Sequence, residues 1–397
     1  AGGLSWQSVV TASTVTVSAG NGYFINTTSN ACTITLPSSA DAGDQIILAD
    51  YARNWGTNAI TIDSNGLLFQ GATDVYIVDY DTAGQAINLV YSGSTVGWTP
   101  ASDIVSAYEP VAPPTQKALF GFGESASGNV SITNLVNSSG VVATDTTGVG
   151  TVRNRCAATG YGSDKAIFAY GAATSDTAIS NLVNNSGVVS ADVTGVGTAR
   201  NALAAAIYDK DKAIFGYGNP GNLSMTNLVS NSGVVATDVS GVGTGRDALA
   251  AAGYGTDKAV FGYGSASSNV ATTNLVSNVG VVSADVSGVG TARYQLAAAS
   301  YSTDKALFGY GSGDTAVTNL VSNTGVVSAD TSGVGTARNG LAAAAYGGDK
   351  AIFGYGHTSG LVSMTNLVNN SGVVATDVTG VGTTRENLAA AGYSISA

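Results

Sequence analysis

Residues 258–301 read KAVFGYGSASSNVATTNLVSNVGVVSADVSGVGTARYQLAAASY, and near-copies of this stretch fill the chain from Lys117 onward. Six lysines open the copies, Lys117, Lys165, Lys212, Lys258, Lys305 and Lys350, at spacings of 48, 47, 46, 47 and 45 residues. A period in this range marks a solenoid or a propeller rather than an ordinary globular domain. The ends of the array choose between the two. The sixth copy runs on through Arg385 to Leu388-Ala389-Ala390-Ala391-Gly392-Tyr393, the segment that in internal copies leads into the next KAIFGYG, whereas the first KALFGFG has none before it. A linear stack needs atypical caps with polar outer faces. A ring needs only one blade shared between its two ends. The pattern predicts an all-β fold with a six-bladed β-propeller over 117–397, closed by its C-terminal strand.

Each copy holds four candidate strands, the propeller number. LAAAxY and KAIFGYG flank a turn that contains Asp-Lys in five copies and Gln116-Lys117 in the first; TNLV and VVxxD flank an Asn/Ser/Gly turn. The runs are short, rich in Val, Ile, Phe and Tyr, and separated by glycine, which favours strand. Glycine and β-branched residues interrupt every window that a helix would need. Blades converge on an axis, so the strand with least lateral room is the alanine run, such as Ala250-Ala251-Ala252. Bulky residues such as Phe215 and Tyr217 belong farther out.

An arginine, a small-residue strand and an aliphatic-aromatic strand ending in glycine resemble the Kelch repeat. Here the terminal glycine doublet is split by an aromatic, as in Gly216-Tyr217-Gly218, and the late tryptophan of a Kelch unit is missing from all six copies. The words KAIFGYG, TNLV and GVGTAR are similar to Kelch-like arrays in virion proteins of tailed phages, over about 70% of the chain.

Residues 1–103 contain none of these words but hold all three tryptophans, Trp6, Trp55 and Trp98. Alternating stretches, Cys32 to Leu36 and Asp74 to Val78, predict strands with one buried face in a β-sandwich-like module. Gly22-Tyr23-Phe24-Ile25-Asn26-Thr27-Thr28, then TITLP and AGDQIILADYA, then Gly97-Trp98, resemble small β modules of phage tail fibres. Residues 104–116, with Pro110, Pro113 and Pro114, predict a semi-rigid extended linker. Residues 1–103 are then expected to mount the protein on other virion proteins and to carry the contacts of a homo-oligomer, a trimer in a fibre, with the tryptophans at the interface.

Only 10% of residues are charged and the net charge is −11. Without a basic stripe, nucleic acid is a poor partner. No apolar run approaches the length of a membrane span. The first residues, Ala1-Gly2-Gly3-Leu4, lack the charged and apolar regions of a signal peptide. Cys32 and Cys156 lie in different domains, and free thiols are the expectation. The single histidine, His357, has no partner set for zinc, so neither metal nor cofactor is expected. Scattered non-repeated acids give no carboxylate pair for glycoside hydrolysis, and the expected role is non-enzymatic, at a virion surface.

Two sets of residues remain as candidates. Arg153, Arg200, Arg246, Arg293, Arg338 and Arg385 recur once per copy, each eight residues after an aspartate (Asp145 to Arg153 is the first pair), and the constancy of this ring favours a structural ion pair. The loops after GYG diverge between copies, as do residues following each arginine, such as Tyr294-Gln295 and Glu386-Asn387. Alternating strand direction puts both on one face. Variable loops on a fixed frame are where binding concentrates; the candidates there are Asn129, Asp176, Asn222, Asn269, Tyr294, Asp314 and His357. Their loops are Ser/Thr/Asn/Gly-rich, so the expected ligand is a neutral, polar host-surface glycan.

Overall fold

Strands and turns build the described residues, 4–71, 77–105 and 115–396, and no helix occurs among them in this computed structural model. The chain divides into two compact units, Ala1–Val111 and Ala112–Ala397. Most of the expected linker (residues 106–114) and of the expected strand at 74–78 (residues 74–76) lie outside the described residues.

The first unit contains β1 (Ser5–Trp6), β2 (Thr14–Thr16), β3 (Asn21–Ile25), β4 (Cys32–Thr35), β5 (Gln45–Asp50), β6 (Ile60–Asp63), β7 (Ile77–Tyr80), β8 (Gln85–Tyr91) and β9 (Trp98–Val105). Two sheets form, in the orders β1-β3-β5-β8-β9 and β2-β4-β6-β7, around one core that includes Ile34, Leu48, Ile62 and Leu89. From β1 to β6 the chain alternates between the sheets, so β1, β3 and β5 pair in parallel, as do β2, β4 and β6. Parallel neighbours need a crossover, and each crossover here is a strand of the opposite sheet. The chain thus winds as a coil before β7, β8 and β9 finish it with antiparallel pairs. The two-layer expectation holds; the winding escaped it, because period-2 alternation shows which face is buried and not which way the neighbour runs. One expectation is corrected. Trp55 and Trp98 are 0% exposed and belong to the core, which leaves Trp6, 48% exposed, as the only tryptophan at the surface. Trp6 stacks on Phe24 at 4.4 Å, and Tyr51 lies beside them. Cys32 is buried in this unit and Cys156 in the other, and burial pushes the Cys32 thiol up to about 11.

Among the described residues the second unit holds six three-stranded antiparallel sheets, with a small two-stranded hairpin, Glu124–Ser125 with Gly128–Asn129, beside the first. In the third, Ala204–Tyr208 pairs with Lys212–Gly218, which pairs with Leu223–Val229; Val235 and Val239 then add a fourth segment through two isolated bridges. The other sheets repeat this plan. Completing the first, Ala389–Tyr393 pairs with Lys117–Gly121, Tyr393 opposite Lys117 and Ala389 opposite Gly121. The alanine-bearing strands are neighbours of one another in chain order, and Ala389–Tyr393 adjoins both Ala342–Tyr346 and Ala157–Tyr161. Alanine suits them because six strands converge where little side-chain volume fits.

Between sheets, an aromatic fills the place that glycine leaves. A Cβ on Gly216 would stand 2.8 Å from Phe261 Cζ in the next sheet, and one on Gly354 would stand 2.7 Å from Phe120 Cζ. The aromatic that splits the doublet adopts a left-handed conformation, φ 66° at Tyr217 and 60° at Phe122, at a cost on the order of 1–3 kcal/mol each. The arginines below offset it.

Candidate functional site

Each copy buries one whole guanidinium: Arg153, Arg200, Arg246, Arg293, Arg338 and Arg385 are 0–1% exposed. A charge taken from water needs its donors saturated. Arg246 Nε donates to the Tyr263 carbonyl at 2.8 Å, one terminal nitrogen to the Thr244 carbonyl at 3.0 Å and the other to Asn274 Oδ1 at 2.7 Å. Its face lies 4.3 Å from the ring centre of Tyr217, in the preceding sheet. The set recurs in every copy, with Phe122 replacing tyrosine under Arg153. Arg385 closes the series on the first copy, donating to the Phe122 carbonyl at 3.0 Å and to Asn134 Oδ1 at 2.7 Å. Burial lowers the pKa of all six arginines.

The arginines are structural, but their expected partner is corrected. The aspartate eight residues earlier serves a different arginine. Asp285 accepts from Thr244 N and Oγ1 and from Asn274 Nδ2, all belonging to the network of Arg246, not of Arg293. The closest guanidinium contacts of the series are 3.9 Å, Arg200 to Asp238, and 4.0 Å, Arg338 to Asp377, so hydrogen bonding leads and ion pairing follows. The crossing segment between aspartate and arginine carries the two to successive sheets, so the partner in space lies one copy away. Burial works against these carboxylates, yet hydrogen bonds from threonine and asparagine outweigh it and hold Asp145, Asp192, Asp238, Asp285, Asp330 and Asp377 below the ordinary carboxylate value.

Two residues beyond each arginine, six backbone hydrogen bonds form a cycle. Arg155 N donates to the Asn387 carbonyl, Asn387 to Gly340, Gly340 to Gln295, Gln295 to Ala248, Ala248 to Ala202, and Ala202 back to Arg155, at 2.7–3.0 Å. All six residues have positive φ, between 47° and 61°. At the other end of the alanine strands a second cycle of six joins the hairpin turns: Gly162 to Asp211, Asp209 to Asp257, Gly255 to Asp304, Ser302 to Asp349, Gly347 to Gln116 and Ser394 to Asp164.

A funnel of about 530 Å³ opens over the first cycle, floored by its six residues and by the leucine row that follows, in which Cys156 takes one place. That volume suits a small ligand. The backbone of the floor is regular and its side chains are not: Arg155 is exposed, Ala202, Ala248 and Gly340 are small, and Gln295 and Asn387 touch at 3.4 Å. Asp247 stands on the wall; burial raises its pKa, and the Arg155 charge pulls it partly back. Tyr294 and the Ser265–Asn269 loop complete that side.

Of the expected binding residues, the funnel gathers Asn269 and Tyr294. The others tie neighbouring loops together. Asp176 accepts from Asn201 at 2.6 Å, Asp314 accepts from Asn339 at 2.8 Å, and Asn129 and Asn222 donate to the carbonyls of Ala172 and Ala266 at 3.1 Å. His357 exchanges backbone hydrogen bonds with Asn339. The asparagine bonds tie one GYG loop to the next, and backbone bonds such as Asn201 with Asn219 and Asp247 with Ser265 join each GYG loop to the residue after an arginine, which places both on one face as expected. Arg155, Asp247, Gln295 and Asn387 are polar residues of the funnel that were not among the sequence candidates. Their signal was the loss of identity in the two positions after each arginine, Asn-Arg, Asn-Ala, Asp-Ala, Tyr-Gln, Asn-Gly and Glu-Asn in turn. No model of a known protein family matches the chain, and no curated protein matches it.

Proposed function

We propose that the six sheets are the blades of a Kelch-like β-propeller, closed by its C-terminal strand, on a non-enzymatic appendage of a tailed-phage virion that contacts host-surface glycan. Support for closure is threefold: the Ala389–Tyr393 strand on Lys117–Gly121, the Arg385 network on the first copy, and the two cycles. The observation that carries the binding reading is the funnel, where near-identical copies stop being identical over a floor fixed by hydrogen bonds. Asp247 is the one carboxylate among its described lining residues, against the pair that glycoside hydrolysis uses, which favours holding a glycan over cutting it.

In this reading residues 1–103 mount the protein on other virion proteins and hold a homo-oligomer, a trimer in a fibre, with Trp6, Phe24 and Tyr51 as the exposed aromatic contact. Immunogold labelling of purified particles with antibody to the propeller is expected to decorate virions. Protein found only free in the culture fluid would favour a secreted lectin and remove the virion assignment. Light scattering is expected to give an oligomer for the full chain and a lower order for Trp6→Ala. Unchanged mass after that substitution would move the contact elsewhere.

A further inference from the structure

We infer that the funnel takes a sugar acid, a polyhydroxylated ring bearing one carboxylate, as the terminal unit of the glycan; this rests on the glycan-contact reading above. The copies supply charge unevenly. Of the six floor positions one carries a cation, Arg155, and of the six wall positions beside them Asp247 is the acid that lines the funnel. Arg155 is exposed, and its guanidinium makes no hydrogen bond or ion pair among the described residues, unlike the six buried arginines two residues before each floor position. It is an open fork of donors and the one cation in a lining whose other charged member is the carboxylate of Asp247. A planar fork matches a planar carboxylate with two parallel hydrogen bonds.

The neighbours narrow the class further. Ala202 and Ala248 leave the floor low between Arg155 and Asp247, so a ring can lie flat there with its carboxylate toward Arg155. Asp247, an acceptor, then receives a ring hydroxyl, and Gln295, Asn387 and Asn269 provide mixed donors and acceptors for the remaining hydroxyls. Tyr294 offers an apolar ring beside them. Two negative charges would place the second against Asp247, so a singly charged acid is favoured over a phosphate dianion. The neutral glycan expected from the loops alone is revised, because the charge comes from the floor and wall and not from the loops.

Calorimetry on the full chain with D-glucuronate, D-glucose and acetate tests this. Glucuronate is expected to bind at least ten-fold more tightly than either of the others, since each lacks one half of the recognition. Arg155→Gln is expected to reduce glucuronate to the level of glucose while leaving the melting temperature unchanged, and Ala202→Trp is expected to block all three by filling the floor. Equal affinity for glucose and glucuronate, indifference to Arg155→Gln, or no binding of glucuronate would each overturn the inference. An array of bacterial polysaccharides separates this from the broader reading: binding only to neutral polymers leaves glycan contact standing and sinks the sugar acid, whereas binding to none removes glycan contact itself.

Discussion

A buried guanidinium is a liability that each copy turns into a joint. Arg246 has all three nitrogens engaged and an aromatic face beneath it, and its ligands come from the crossing segment, two strands of its own sheet and the ring of the sheet before. Truncation to alanine strands Asn274 Oδ1 and the Tyr263 carbonyl and leaves Tyr217 in a strained conformation without its cover. Loss of one partner from a buried charged set costs about 3–5 kcal/mol. Arg246→Ala is expected to lose that much in urea unfolding, and Arg246→Lys to recover less than half, because an ammonium cannot reach three acceptors on a fork. A lysine variant as stable as the parent would show that charge, and not geometry, is what the site uses. The arginine itself was legible in the sequence by its constancy. Its partner was not, because each copy contains a complete set of the network's residues and the sequence cannot say whether a set closes within one copy or between two.

At the scale of the strand, the joint between the last copy and the first is built like every other. Ala389, Ala391 and Tyr393 are 2–5% exposed against the Lys117–Gly121 strand and its neighbours. Removing residues 388–397 strips this strand, breaks the Ser394 link of the hairpin cycle and exposes the edge of Lys117–Gly121. The loss of apolar burial alone is on the order of 5 kcal/mol, and the free edge is a template for aggregation. The truncated chain is expected to melt markedly lower and to aggregate on heating, followed by circular dichroism and light scattering; a melting curve that overlays the parent would refute closure. Strand identities and their pairing order were readable because Val, Ile, Phe and Tyr runs recur between glycines at a fixed period. The fourth segment was readable as a strand, yet it pairs by only two bridges in each copy, because the Asn and Asp side chains of the arginine network hold it where a full ladder would. In the first unit the same alternation hid a parallel coil, and two of the three tryptophans that looked like surface anchors, Trp55 and Trp98, are core.

Taken over the whole molecule, the six aspartates act in concert. Their folded-state pKa values lie below the unfolded value of about 3.9. Each therefore contributes stability that is complete above that value and is lost as pH falls through the folded one. The melting temperature is expected to hold level from pH 8 to 5 and to fall steadily below about pH 4, and Asp285→Asn is expected to make that fall shallower. A flat profile down to pH 2 would contradict the network. The two hydrogen-bond cycles carry one more consequence. Within each cycle every link runs in one sense, back one copy in the first and forward one copy in the second, and the link that spans the chain ends falls in the same range of length as the rest. The interior is thus indifferent to which copy comes first in translation: a circular permutant opened at the Asp257-Lys258 turn, its old ends spliced, would rebuild the same ring. What such a permutation preserves, and what exchanging two copies would scramble, is the cyclic order of side chains around the floor. The fold stores its stability in what the copies share, and its message in the sequence in which they differ.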